Sequence, residues 1–286
     1  MEIDSKVLVT GASGFTGRYL VSELSNYDHI ISTLKSDLND KDAVIAEILA
    51  VEPDYVVHLA AISFVGTQEA DAIYRVNVIG TTNLLDALSL LPIAPKKVII
   101  ASSATVYGNA SGEIMETAPL QPVNHYGCSK LSMECMAQNY INKFPIIIVR
   151  PFNYTGLGHS KNFLIPKIVT TYRSNKDVIF LGNLDVAREF NDVRDVCRVY
   201  RKLLYSSFDN GVINICRGSP ITLMNIIDVM NNITGIKMEV KVNPLFVRKD
   251  EIKILSGNSR KLEAIIDVTW KYSIEDTLRW MYDIKN

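Results

Sequence analysis

The sequence predicts an α/β fold, a doubly wound parallel sheet with a smaller α/β domain attached. Three observations predict it. Short apolar runs alternate with helical patterns over the first 150 residues. The first run ends in a glycine-rich turn that opens a helix. After Arg150-Pro151 the alternation loosens into shorter elements and loops. Strand, helix, strand in succession requires crossover connections, which lay the strands parallel and place helices on both faces.

Each element has its own signal. Lys6–Thr10 (KVLVT) is a short apolar run of the kind buried on both faces. Phe15, Tyr19, Leu20 and Leu24 recur at helical spacing within residues 15–26. Strands follow at residues 29–34, 55–59, 97–101 and 146–149, and helical patterns at 41–51, 70–91 and 126–142 lie between them. The second half offers helical patterns at 162–174, 193–206, 221–233 and 274–282 and strand-like runs at 178–181, 212–216 and 238–242. The stretches NYTGLGHS and SGNSR read as loops. No internal repeat is evident.

Composition narrows the function classes. The chain has 286 residues, 48% hydrophobic and 21% charged, with net charge −1. That is ordinary for a soluble globular protein. No half is basic enough for nucleic acid to be the partner. No apolar run approaches the roughly 20 residues that span a bilayer, so no membrane partner is expected. The start, MEIDSKVLVTG, carries acids and does not read as a signal peptide. Cys128, Cys135, Cys197 and Cys216 form no C-x-x-C, which suits free thiols in a cytoplasmic protein. The four histidines are scattered, so no metal site is expected.

Residues 10–17, TGASGFTG, place glycines at G-x-x-G-x-x-G spacing between a strand and a helix, the context of the Rossmann dinucleotide fingerprint. Gly11 permits the tight turn, Gly14 lets backbone approach a pyrophosphate, and Gly17 lets helix and strand pack closely. Phe15 and Thr16 complete the turn at the positive end of the helix. The acid that usually ends the second strand is missing, and HIISTLKSDLND offers Ser32, Thr33 and Lys35 instead. Lys35 reads either as a partner for a 2′-phosphate or as a solvated surface charge. NADPH and NADH therefore both stay open, with NADPH the favoured of the two. Asp37 and Leu38 either hold the adenine edge, or Asp37 caps the next helix. Residues 1–150 form the expected dinucleotide-binding domain, with returning segments from about 180–215. Residues 151–286 mainly supply a discontinuous substrate-binding domain over the carboxyl ends of the strands.

The fourth strand runs into Ser102 and Ser103 at its carboxyl end, where such sheets bind ligands. In NHYGCSK, Tyr126 and Lys130 lie one helical turn apart on one face. With 13 tyrosines and 30 lysines plus arginines, chance supplies about one such pair. A second pair does occur, Tyr172 and Lys176, but no serine strand precedes it. Ser103, Tyr126 and Lys130 can converge on a carbonyl that accepts hydride at carbon and a proton at oxygen. A phenol of pKa about 10 is poorly matched to neutral pH, and a nearby ammonium is expected to lower it.

Together, TGASGFTG, HLAA (58–61), SSATVYG (102–108) and YGCSK (126–130) resemble the extended short-chain dehydrogenase/reductases that act on nucleotide sugars. The resemblance covers nearly the whole chain. It implies that Ser103, Tyr126 and Lys130 are catalytic, that Leu59, Ala60 and Ala61 face the cofactor, and that Asn77, in YRVNVIGT, supports the lysine through water.

Two further stretches, RPFNYTGLGH (150–159) and GNLDVAREFNDVRDV (182–196), resemble the GDP-4-keto-6-deoxy-D-mannose reductases and the related GDP-mannose 4,6-dehydratases, as do HLAAISFVG (58–66) and NPLFVRKDE (243–251). By that resemblance Ser63, Ser103, Asn153, Asn183, Arg188 and Arg248 are substrate contacts, with Lys167 as a further phosphate partner. Arginine forks suit diphosphate oxygens, although Arg188 and Arg248 also read as surface ion pairs. Dehydratases of this superfamily place Thr-Asp-Glu or Ser-Asp-Glu where this chain has Ser103-Ala104-Thr105, so elimination lacks its carboxylates. What remains is reduction of the 4-keto group of a GDP-4-keto-6-deoxy sugar, for deoxy-sugar units of surface polysaccharide such as lipopolysaccharide. At RKDEIK (248–253) the family usually has proline-containing sequence, which leaves a mannose-derived hexose and a GDP-6-deoxy-heptose precursor both open. A 4-epimerase or 4,6-dehydratase retaining NAD is the alternative enzyme, and a non-catalytic cofactor-binding protein the alternative of another class. The resemblance also implies a homodimer, through a bundle of helices 70–91 and 126–142.

Overall fold

The computed structural model describes residues 5–63, 70–174, 176–247 and 252–284. Six strands form the main sheet: β1 Ser5–Thr10, β2 His29–Thr33, β3 Tyr55–His58, β4 Lys97–Ala101, β5 Ile146–Pro151 and β6 Gly211–Ile215. All pair in parallel, in the order β2-β1-β3-β4-β5-β6. Winding reverses between β1 and β3, so the crevice where such sheets bind ligands lies at their carboxyl ends.

The helices are α1 Phe15–Leu24, α2 Lys41–Val51, α3 Ala70–Tyr74, α4 Thr81–Leu88, α5 His125–Ala137, α6 Leu164–Arg173, α7 Val193–Leu204, α8 Leu223–Thr234, α9 Arg260–Ile265 and α10 Ile274–Asp283. Successive side chains of a strand point to opposite faces. Val7, Val9, Val57 and Ile99 therefore pack with Leu20 and Leu24 of α1 and Val196, Tyr200 and Leu203 of α7. Leu8, Val56, Val98 and Ile100 pack on the other face with α2, α4 and α5, through Val44, Ile48, Leu84, Leu88, Met133 and Ala137. Strands buried on both faces need the continuous apolar runs that the sequence shows. A separate core joins α6, α8 and α10 beneath a two-stranded sheet of Val178–Leu181 and Glu239–Val242.

Three expectations are corrected. The predicted helix 70–91 is α3, a π-helical turn Arg75–Gly80 and α4. SGNSR is not wholly loop: it overlaps the strand Ile254–Gly257 and the start of α9, and NYTGLGHS contains the strand Tyr154–Thr155. A small sheet of Ile221–Thr222, Ala187–Arg188, Ile254–Gly257 and Gly112–Ile114 went unpredicted, because its strands are too short for a periodic signal.

Candidate active site

The turn after β1 is built around glycine. Gly11 has φ +67°, and a Cβ there would lie 2.7 Å from the Ala60 backbone nitrogen on the turn after β3. At Gly17 a Cβ would meet the Gly11 carbonyl oxygen at 2.2 Å, so α1 sits directly on the turn. Gly14 differs: its Cβ would approach only the Gly11 oxygen, at 3.2 Å. Protein packing alone does not demand glycine there, whereas close approach of a ligand does. No side chain caps α1 and its first turn carries no acid, which leaves its positive end open. These features fit a dinucleotide pyrophosphate.

The crevice is pinned from below. The Thr10 hydroxyl lies 2.7 Å from His58 Nδ1, His58 Nε2 lies 2.8 Å from the Thr81 hydroxyl, and the Ala60 N–H donates to the Thr10 hydroxyl at 3.2 Å. Burial, with a lesser push from Lys130, drives the His58 pKa down to about 3, so it stays neutral. Leu59 continues the pairing through its N–H to the Thr10 carbonyl at 3.3 Å, and Ala61 follows half-buried. Asn77 lies in the π-helical turn, a distortion frequent at functional sites. Its side chain accepts from the Ile62 N–H at 2.8 Å and donates to the Ser129 hydroxyl at 2.9 Å. Its direct partners are thus the turn after β3 and helix α5, not Lys130.

The structure brings Ser103, Tyr126 and Lys130 together. Ser103 follows β4 and caps the short 3₁₀ helix Ala104–Tyr107. Asn124 caps α5 by accepting the Gly127 N–H at 2.8 Å, which puts Tyr126 on the first turn. Lys130 Nζ lies 6.0 Å from the Tyr126 ring centre and donates to the Ala101 carbonyl at 2.7 Å. The expected lowering of the phenol is not met. Burial pushes Tyr126 up to about 12, and the hydrogen bond with Ser103 only partly opposes it. Burial also pushes Lys130 down to about 8, with Glu134 opposing.

Other predicted residues are placed less simply. Phe15 and Thr16 reach across to the second half: Phe15 stacks on His159 at 4.4 Å, and the Thr16 and Tyr154 hydroxyls lie 2.8 Å apart. Lys35 is exposed. Leu38 is buried with its carbonyl on the Asn83 side chain, and Asp40, not Asp37, caps α2, while Asp37 accepts from Asn39. Ser63 and Asn153 are exposed. Lys167 Nζ lies 4.2 Å from the ring centre of Phe246, whose backbone packs against Gly182, the residue before Asn183. Arg188 donates to the carbonyls of Ala187 at 2.9 Å and Lys253 at 3.3 Å. Arg248 lies outside the described residues.

Sequence reasoning missed a buried network beside Ser103. Ser102 donates to Glu134, which takes two hydrogen bonds from Arg150, at 3.0 and 2.6 Å; Arg150 donates to the Tyr107 hydroxyl at 2.9 Å, and that hydroxyl to Asn214 at 2.7 Å. The signal was present, since Tyr126, Lys130 and Glu134 recur every four residues along one stripe of α5. Among the described residues, no group of three or more His, Cys, Asp and Glu is placed to hold a metal ion, and no helix is long and apolar enough to cross a membrane.

Comparison with known proteins agrees with this geometry. A GDP-6-deoxy-D-talose 4-dehydrogenase of Aggregatibacter actinomycetemcomitans is 37% identical over 97% of this chain and 97% of its own. A GDP-6-deoxy-D-mannose reductase of Pseudomonas aeruginosa is 29% identical over 96% and 95%. The structure of RMD from Pseudomonas aeruginosa complexed with NADPH superposes with a TM-score of 0.88 at 26% identity, covering 98% of this chain and 96% of that one. Residues 7–216, from β1 to the end of β6, match the family's sequence profile, and the chain belongs to the NAD dependent epimerase/dehydratase family.

Proposed function

We propose that this NAD(P)-dependent oxidoreductase reduces the 4-keto group of a GDP-linked 4-keto-6-deoxy sugar. The observation that carries this reading is the turn after β4. It presents Ser103 beside Tyr126 and Lys130, and continues with Ala104 and Thr105 where an elimination would need carboxylates. The names of both relatives point to GDP-6-deoxyhexoses, and talose and mannose differ only at C4, the carbon at which hydride would be exchanged with a shared 4-keto sugar.

Reduced nicotinamide, when bound, supplies hydride to C4. The Ser103 hydroxyl holds the carbonyl oxygen. Tyr126 gives that oxygen its proton, and with a pKa of about 12 the phenol carries the proton before the step, as an acid must. The Lys130 ammonium, one helical turn away, stabilises the phenolate that remains. In this reading Arg188, Arg248 and Lys167 take the diphosphate, and Ser63, Asn153 and Asn183 the sugar. The second half, with its core of α6, α8 and α10, acts as the substrate-binding layer.

The test offers NADH and NADPH with GDP-, dTDP- and UDP-linked 4-keto-6-deoxy sugars, hexose and heptose, and follows loss of reduced nicotinamide. Consumption with the GDP sugars is expected, falling by about 10²–10⁴ in Tyr126→Phe. Silence with every GDP sugar sinks the proposal, and tightly retained NAD in the purified protein would turn the reading to an epimerase. The same reading includes a homodimer through α3, α4 and α5, near the exposed Ile79 and Ile141. Sedimentation as a 32.0 kDa monomer would exclude it.

A further inference from the structure

An internal carboxylate occupies the turn that follows β2. Two successive backbone N–H groups of that turn point at Glu47 of α2: Lys35 donates to Oε1 at 2.9 Å and Ser36 to Oε2 at 2.8 Å. The Ser36 hydroxyl donates to the same Oε2 at 2.6 Å. Burial pushes the Glu47 carboxyl up, but these three donors and the nearby Lys35 charge outweigh it and hold the group below its ordinary range. The carboxylate is therefore ionised at neutral pH, with three donors on it and one lone pair of Oε1 still to offer.

The location gives this a functional meaning. In a doubly wound sheet the end of the second strand is where the ribose of the coenzyme's adenosine lies. A 2′-phosphate there needs N–H groups, hydroxyls and a cation. Here the N–H groups and the hydroxyl already serve Glu47. The exposed Lys35 ammonium already has the Glu47 charge nearby, and Lys41 is paired with Asp86 at 2.7 Å. Asp37 and Asp40, in the same connection, add negative charge. A phosphate dianion would have to displace a carboxylate from its donors or sit beside it unpaired. A 2′-hydroxyl asks for neither, and finds a carboxylate of the kind that the sequence lacks at the end of β2.

Resting on the dinucleotide reading above, we propose that Glu47 makes the protein prefer NADH to NADPH, by filling from within the anion-binding turn that a 2′-phosphate would use. The preference expected from Lys35 is thereby reversed. Discrimination comes from a repulsive element built into the site.

Direct titration of the purified chain with NADH and with NADPH by calorimetry tests this without any sugar substrate. The wild type is expected to bind NADH at least about tenfold more tightly. Glu47→Gln is expected to close that gap by about tenfold, through tighter NADPH binding, with NADH affected less. Lys35→Ala, which keeps the carboxylate, is expected to leave the ratio unchanged. A wild type that binds NADPH as well as or better than NADH overturns the proposal. So does equal weakening of both coenzymes in Glu47→Gln, which would make the residue a brace for the turn, or a selective loss of NADPH in Lys35→Ala. Binding of neither coenzyme would remove the dinucleotide reading as well, and so marks a different failure.

Discussion

Two cations are buried at helix α5, Lys130 on the helix itself and Arg150 on β5 against it, and the fold treats them differently. Arg150, at the end of β5, is matched on every side: both oxygens of Glu134, the Tyr107 hydroxyl and the Glu116 carbonyl accept its hydrogen bonds. Burial works against its charge, but Glu134 outweighs burial and raises its pKa. Lys130 is no more exposed, at 2% against 3%. Its ammonium has the Ala101 carbonyl at 2.7 Å and the Met133 sulfur at 3.9 Å and, among the described residues, no carboxylate in hydrogen-bonding reach. A charge that is buried and poorly paired costs stability. The difference teaches where the fold uses charge for structure and where it tolerates the cost for chemistry. The paired arginine ties β5 to α5, whose Glu134 also holds Ser102 after β4, and the poorly paired lysine stands beside the tyrosine.

The sharpest way to break this comparison is to strand the arginine. Glu134→Ala leaves Arg150 buried without its partner and also removes the acceptor of Ser102. The expected loss is about 3–5 kcal/mol, read as a lower urea midpoint. The double variant Glu134→Ala with Arg150→Met should recover most of it, because no charge is then stranded. A single-variant loss below about 1 kcal/mol would mean that the pair does not hold the strand ends, as for an exposed ion pair.

How much of this was legible depends on how local the signal is. The strand residues Val7, Leu8 and Val9 and the whole of α2 announce themselves through near neighbours in sequence, and the structure places them as expected. Ser103, Tyr126 and Lys130 were legible for a similar reason, since a strand end and one helical turn fix their spacing. Asn77 was read as part of a regular helix, because apolar spacing hardly distinguishes a π-helical turn from an α-helical one. Arg150 was read only as a boundary. Its partner is 16 residues away on another element, and Tyr107 is farther still, so only packing could join them. Glu47 carries no such local signal, because it lies on α2 and meets the turn after β2 only through the fold.

The smaller effect should fall on Lys130. Its pKa of about 8 in the folded chain lies below its ordinary 10.5. Between those values the unfolded chain binds more protons, so this group's contribution to stability rises with pH across that window. Below pH 8 the folded protein carries the ammonium at its full cost. Lys130→Met keeps the volume and removes the charge. At pH 7 its melting temperature is expected to rise by about 2–6 °C, while turnover in the proposed reaction falls about 10²-fold or more. The stability advantage should shrink as pH rises from 7 to 10, because the wild-type lysine then loses its proton and with it the cost of burial. A variant that melts lower than wild type at pH 7 would show that the ammonium earns its place through contacts, as Arg150 does, and the two cations would no longer differ in kind. A variant more stable and nearly inactive would place the cost of this buried charge with the chemistry of Tyr126.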